Sequence, residues 1–136
     1  MTDDLPDWLR AQLDEDERIA RAASPGPWEQ SGIGEHGWGV SFGRAGAGVE
    51  AEDSDQGRAD ATHIAEHDPA RVLREIDAKR AVLKMYVNAT GWVERATELN
   101  VKSDNSKAAA VAYLDALKAL ALPYSDRPGF KESWRP

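Results

Sequence analysis

The chain has 136 residues, 41% of them hydrophobic, and a formal net charge of −7. This length fits a single domain whose core is large enough to be stable without disulfide bonds or a structural metal ion. The absence of cysteine excludes a disulfide framework and thiolate metal sites. The acidic balance disfavours nucleic acid as a partner, because phosphate binding depends on clustered Lys and Arg.

The cellular setting is expected to be the cytoplasm, with no membrane partner. No apolar run approaches the roughly 18 residues that a membrane-spanning helix requires. The first residues, MTDDLPD, are acidic and lack the basic and apolar regions of a signal peptide.

The first part of the chain predicts a helix followed by a small sheet. Apolar residues recur at helical spacing over Leu5–Ala23, and two prolines and a glycine in residues 24–27 end that helix. Trp38, Val40 and Phe42 then alternate with small residues, which is the period of a half-buried strand. We predict an antiparallel meander of three strands near residues 27–32, 37–43 and 47–52.

Two further helices are predicted to meet at Asp68 and Pro69. A short helix over Arg58–His67 follows a polar link. Proline disfavours helical geometry in the residue before it, so Asp68 can cap a new helix that has Pro69 at its first position. This helix is predicted to continue to Asn100, and Gly91 can bend or interrupt it.

The long helix has a second apolar face, with alternating steps of three and four residues, the pattern of paired helices. We call this face the seam; it consists of Val82, Met85, Ala89, Trp92, Ala96 and Leu99. An alanine-rich helix predicted over Lys107–Leu122 is its natural mate in an antiparallel hairpin. The pattern leaves open whether the seam is covered within the chain or forms a dimer interface.

The segment 123–136 is rich in proline and cannot be helical throughout. It carries three aromatic residues, Tyr124, Phe130 and Trp134, which bury a large area only if this tail docks on the rest of the chain.

Together these patterns predict an α+β fold. A small three-stranded antiparallel meander packs against the first helix and the helix from Pro69, and a helical hairpin extends the structure. We expect one domain over residues 1–136, with the helix and meander in 1–57, the helical part in 58–122 and the docked tail after it.

One set of residues, Asp60, His63 and His67, has the spacing of a metal site. Steps of three and four residues share one helix face, and two histidines with a carboxylate and a water could hold zinc in an open site. However, HIAEH lacks the glutamate that follows the first histidine in HExxH hydrolases. In the structural alternative, which we favour, His63 packs beside Ile64 against the meander and His67 contacts Asp68. We expect zinc to bind weakly or not at all.

A basic stretch at the start of the long helix is the remaining candidate for ligand binding. Its positions scatter around the helix and form no stripe, so surface ion pairs are expected in preference to a nucleic-acid site. The stretch consists of Arg71, Arg74, Lys79, Arg80 and Lys84.

The order of motifs resembles a known family. WLRAQLDEDERIARAA runs into SPGPW, DATHIAEHDPARVLREIDAKR follows the strands, and LALPYSDRPGFKESWRP closes the chain. This order closely resembles a family of uncharacterised small proteins from actinobacteria and their phages, a domain of unknown function. It is more loosely similar to short phage early-region proteins. The resemblance implies a bacterial or phage cytoplasmic setting and no particular activity.

Three functional hypotheses follow. The first is a non-enzymatic interaction protein that self-associates through the seam and the helix over Lys107–Leu122. This hypothesis rests on a surplus apolar face in a sequence that shows no recognisable group of catalytic residues. The second is a metal-dependent hydrolase that uses Asp60, His63 and His67. The third, from the phage likeness, is a modulator of a host or defence protein.

Overall fold

The computed structural model describes residues 4–136. This part of the chain folds into four α-helices and one three-stranded antiparallel sheet. The predicted α+β class is confirmed. The helices are α1 (Leu5–Ala22), α2 (Asp55–Glu66), α3 (Pro69–Glu98) and α4 (Asp104–Ala121), with two single-turn 3₁₀ helices at Leu122–Tyr124 and Glu132–Trp134. The strands are β1 (Glu29–Ile33), β2 (Trp38–Ser41) and β3 (Gly48–Ala51).

The chain divides into two compact units. The sheet unit contains residues 15–76, and the helical unit contains the described residues 4–14 together with 77–136. The prediction of one domain stays a prediction, and residues 1–3 of its first segment lie outside the described part. No helix of residues 4–136 is long and apolar enough to cross a membrane.

The sheet has the order β1-β2-β3, with β2 in the centre. Val40 of β2 lies opposite Gln30 on one side and Val49 on the other. The register of β1 shifts between Gln30 and Gly32, as at a β-bulge. The alternating pattern of Trp38, Val40 and Phe42 therefore located the central strand correctly.

Helix α2 covers one face of the sheet, a role that we expected of α1 and α3. Val40 from the sheet and Ala61 and Ala65 from α2 form the buried cluster. The half-buried side chains packed around it are Trp28, Trp38, Phe42, Ala51 and Ile64. The small residues on the buried side of α2 let the helix approach the sheet closely.

Helix α2 begins three residues earlier than the predicted Arg58. The Ser54 hydroxyl accepts the backbone N–H of Gly57 at 2.9 Å, which is the geometry of a helix N-cap. A Cβ at Gly57 would lie 1.8 Å from the carbonyl oxygen of Glu52, so only glycine fits there. The polar link was predicted over residues 53–57, and its last three residues are therefore the start of α2.

Helix α3 starts as predicted, with Pro69 at its first position and Asp68 as the cap. Oδ1 of Asp68 accepts the backbone N–H of Arg71 at 2.9 Å. The helix then runs without interruption through Gly91 to Glu98.

The helical unit buries a stripe of leucines from α1 and side chains from three further segments. The fully buried members from α1 are Leu5, Leu9 and Leu13, which recur every four residues. The other buried side chains are Leu83, Ala89 and Ala96 from α3, Leu117 and Ala121 from α4, and Tyr124 and Trp134 from the tail.

Candidate functional site

The second half of α3 and helix α4 lie side by side as an antiparallel pair, which we call the hairpin (residues 82–122). Residues of both helices line one shallow groove. They are Met85, Asn88, Ala89 and Trp92 from α3, with Asn105, Ser106, Ala109 and Tyr113 from α4.

The seam separates into a buried line and an exposed line. Ala89 and Ala96 are only 7% and 9% exposed. Met85, Trp92 and Leu99, in contrast, are 47%, 66% and 59% exposed. The remaining member, Val82, is half-buried. The small residues are therefore covered, whereas the large apolar ones face solvent.

Helix geometry explains this division. A step of seven residues rotates by about 700°, which falls about 20° short of two full turns. Met85, Trp92 and Leu99, seven residues apart, therefore follow one line along α3. Ala89 and Ala96 follow a neighbouring line.

The hairpin also exposes further apolar side chains outside the seam. Val87, Val101 and Val111 are 44%, 58% and 63% exposed. A second shallow groove runs along α3, lined by Val87, Asn88, Gly91, Trp92 and Arg95. Among the described residues, no atom beyond the chain neighbours and the helix's own backbone lies within 4 Å of a Cβ built at Gly91. This side of α3 therefore has room for another helix to approach.

The charge of the hairpin differs from that of the chain as a whole. Residues 82–122 contain five Lys or Arg and four Asp or Glu, whereas the complete chain has a net charge of −7. The apolar surface is therefore embedded in a region that is close to neutral and carries both signs.

His63 and His67 form the second candidate site, on the exposed side of α2. Both side chains are exposed, so the alternative that packed His63 against the meander is wrong. Their ring centroids lie 4.2 Å apart, and Nδ1 of His67 lies 2.7 Å from the carbonyl oxygen of His63. The pair lines a groove with Asp55, Arg58, Ala59, Thr62, Glu66 and Arg71.

Asp60 lies on the same helix but is engaged elsewhere. Its Oδ1 accepts a hydrogen bond from the Gln56 amide at 2.8 Å. Within residues 4–136 no group of three or more His, Cys, Asp or Glu side chains is arranged to hold a metal ion. The zinc site with Asp60 as third ligand stays a prediction.

Three members of the basic stretch make polar side-chain contacts with other parts of the chain. Arg71 contacts Glu75 at 3.1 Å and Arg80 contacts Asp14 at 2.7 Å. The Lys79 ammonium donates to the Tyr124 hydroxyl at 3.3 Å. These contacts agree with the expected surface pairs, each of which contributes little to stability.

The tail docks on the first half of α1 within the helical unit. The Trp8 ring lies 5.8 Å from Phe130 and 5.2 Å from Trp134, measured between centroids. The indole N–H of Trp8 donates to the carbonyl of Pro128 at 2.9 Å. Tyr124 and Trp134 are buried and Phe130 is half-buried. The helical pattern predicted over Leu5–Ala23 did not identify Trp8 as the partner of the tail.

Two ion pairs accompany the docked tail and shift the pKa of their acids. Lys131 donates to both carboxylate oxygens of Asp4 at 2.9 Å, and this hydrogen bonding lowers the pKa of Asp4. Arg135 donates to Glu132 at 2.6 Å and lowers the pKa of that carboxyl in the same way. Both acids are exposed, so these pairs contribute little to stability.

One family model matches nearly the whole chain. The family model that matches is described as a family of unknown function (DUF6221), and it covers residues 2–136. The chain belongs to this family. Comparisons with curated proteins and with solved structures gave no match. Membership confirms the resemblance to a domain of unknown function and assigns no activity.

Proposed function

We propose that this protein is a small non-enzymatic interaction protein that self-associates through the hairpin. The observation that supports the proposal is the exposed line of Met85, Trp92 and Leu99, which leaves three large apolar side chains in solvent at seven-residue intervals. Burying a side chain of this size contributes about 1.5–3 kcal/mol. A surface with several such side chains is typical of protein interaction sites.

The distribution of exposed apolar residues supports the same location. Ten large hydrophobic residues of the described chain are more than a third exposed, and six of them lie between residues 85 and 111. Those six are Met85, Val87, Trp92, Leu99, Val101 and Val111. An apolar surface of this kind would be covered most simply by another pair of helices.

The partner that fits best is a second copy of the chain. A symmetric dimer places the same patch of both copies face to face. The near-neutral hairpin, with both signs of charge, does not repel its own copy, whereas the strongly acidic remainder would. Two hairpins together give a four-helix bundle, in which residues at seven-residue spacing form the core.

Light scattering after size-exclusion chromatography, repeated over a range of concentrations, tests the proposal. We expect a mass of about twice the 14.9 kDa of one chain. Trp92→Ser and Leu99→Ser should return the protein to the mass of one chain, because each removes part of the exposed line.

Ile33→Ser is the matched control, since Ile33 is 55% exposed but belongs to the sheet unit. This variant should keep the dimer mass. The proposal is wrong if the wild type has the mass of one chain at every concentration. It is also wrong if Ile33→Ser dissociates the dimer as fully as Trp92→Ser does.

We further propose that the protein acts in the cytoplasm of an actinobacterium or of a cell infected by its phage. The likeness of the three sequence segments to proteins of that origin supports this setting. Fractionation of actinobacterial cells that express the chain should place it in the cytosolic fraction, and recovery in the membrane or secreted fraction would contradict the proposal.

A further inference from the structure

We propose that His63 and His67 form a two-ligand chelate for a divalent transition-metal ion of the Cu²⁺ and Ni²⁺ class. This site is independent of the hairpin and of the proposed self-association. It differs from the zinc site predicted from the sequence because Asp60 takes no part in it.

The spacing of the pair and its exposure carry the proposal. The two residues are one helical turn apart, which places their side chains on one face of α2. The ring centroids are 4.2 Å apart with 32° between the ring planes. Both rings are exposed, so a hydrated ion can reach them without any opening of the structure.

One hydrogen bond prepares His67 as a ligand. Its Nδ1 lies 2.7 Å from the carbonyl oxygen of His63. A carbonyl can only accept, so Nδ1 carries the proton and donates it. The lone pair of the neutral ring is then on Nε2, the nitrogen left for a metal ion. Metal-ligating histidines in proteins are oriented in this way by the bond that their other nitrogen makes.

The groove around the pair holds two arginines and two carboxylates, so their charges balance. The Arg58 guanidinium lies 5.1 Å from the centre of the Trp38 ring. Arg71 donates to Glu75 and to the carbonyl of Glu66, at 3.1 and 3.2 Å. Asp55 and Glu66 line the same groove and supply negative charge.

The choice of metal follows from the number of ligands. Zinc sites in proteins have three or four protein ligands, whereas this site offers two imidazoles and leaves the remaining positions to water. Among divalent ions an imidazole site favours Cu²⁺ most strongly, with Ni²⁺ next below it in the same series. We therefore expect Cu²⁺ to bind more tightly than Ni²⁺.

Calorimetric titration of the full chain, without a polyhistidine tag, with Cu²⁺ and with Ni²⁺ tests the proposal. The wild type should bind one ion per chain. His63→Ala and His67→Ala should each weaken binding at least about tenfold. Loss of a hydrogen-bond partner of a metal ligand already weakens binding by about tenfold or more, so loss of the ligand itself should cost no less. His36→Ala is the control, because His36 is an exposed histidine of the turn between β1 and β2, and it should bind like the wild type.

A rescue variant separates chelation from a structural role of His67. Ala59 is exposed and lines the same groove one turn before His63. Ala59→His combined with His67→Ala rebuilds a pair at four-residue spacing and should recover most of the lost affinity. Circular dichroism should report unchanged helix content in all variants.

Several outcomes would overturn the chelate. One is an equal affinity for the ion in the wild type, His63→Ala and His67→Ala, and another is a stoichiometry of one ion per two chains. Loss of binding in His36→Ala, or a folded Ala59→His, His67→Ala variant that does not recover affinity, would also contradict it. Trp92→Ser should bind the ion like the wild type, so the chelate and the self-association can fail separately.

Discussion

The side chain of Asp68 accepts the backbone N–H of Trp28, a residue 40 positions earlier, at 3.1 Å. Its other carboxylate oxygen accepts the N–H of Arg71 in the first turn of α3. Asp68 is only 8% exposed. One carboxylate therefore caps a helix and also holds the loop that leads into the sheet.

Replacement of Asp68 by alanine should destabilise the protein markedly. Loss of a helix cap costs about 1 kcal/mol, and a half-buried N–H left without its acceptor at Trp28 costs about 1–3 kcal/mol more. Urea unfolding followed by circular dichroism measures the change. Asp77→Ala, at an exposed position of α3, is the control, and an equal loss in both variants would contradict the double role of Asp68.

The same residue should make stability depend on pH. Burial raises the pKa of Asp68, but the hydrogen bonds from Arg71 and Trp28 and the nearby Arg74 outweigh it, so the net shift is downward. The carboxylate therefore contributes stability above the ordinary aspartate pKa of about 3.9. That contribution is lost as the pH falls through the lower pKa that Asp68 has in the folded protein.

Asp68→Asn is the reference for this pH dependence because its side chain does not titrate. The stability advantage of the wild type over this variant should shrink between about pH 6 and pH 3. An advantage that stays constant over that range, measured by urea unfolding at each pH, would show that the charge of Asp68 does not contribute.

Gly129→Ala should loosen the docked tail. Gly129 has φ of +90°, and a Cβ there would lie 2.7 Å from the indole nitrogen of Trp8. Gly46 has φ of +74°, but no atom of residues 4–136 lies within 4 Å of a Cβ built there, so Gly46→Ala carries only the backbone cost of about 1–2 kcal/mol. Gly129→Ala should cost about 1–3 kcal/mol more, the range for overpacking. Equal melting temperatures of the two variants would argue against a tight contact at Trp8.

Two tryptophans should respond to substitution in opposite ways. Trp134 is 2% exposed and Trp92 is 66% exposed. Trp134→Ala should cost about 3–5 kcal/mol in unfolding free energy. Trp92→Ala should stay within about 0.5 kcal/mol when the protein is dilute enough to be monomeric. Chemical denaturation at low protein concentration compares them, and a large loss in Trp92→Ala would place that ring in the core.

Gly91→Ala should stabilise a single chain. Gly91 lies inside α3 with open space around it, and alanine in a helix interior is favoured over glycine by about 0.5–1 kcal/mol. Thermal unfolding of dilute protein measures the gain.

Gly91→Leu should weaken the proposed dimer, because a large side chain would obstruct a second helix on this face. If Gly91→Leu still has the mass of a dimer, the interface does not include this face of α3.

Much of the fold was predictable because its signals are local. The alternation around Val40 located the central strand, and the pair Asp68 and Pro69 fixed the start of α3. The covering role of α2 was missed because its buried face consists of Gly57, Ala61 and Ala65, whose small side chains give little hydrophobic periodicity. Contacts far apart in sequence, such as that of Trp8 with the tail, leave no local signal.

The candidate sites were predictable only in part, for a geometric reason. The spacing of the seam identified an apolar face but could not tell which of two adjacent lines is covered. In the structure the line of Ala89 is the covered one, and the line of Trp92 is the exposed one. The spacing of His63 and His67 predicted their proximity, but it could not reveal that Gln56 engages Asp60.

The exposure of Trp92 also has an optical consequence. The indoles of Trp8, Trp28, Trp38 and Trp134 are buried or half-buried, so collisional quenchers in solution should reach Trp92 first. An indole in water emits at longer wavelength than one in an apolar environment. Assembly of two chains through the hairpin would therefore appear as a blue shift and a loss of quenching, readable from the unlabelled protein in a dilution series.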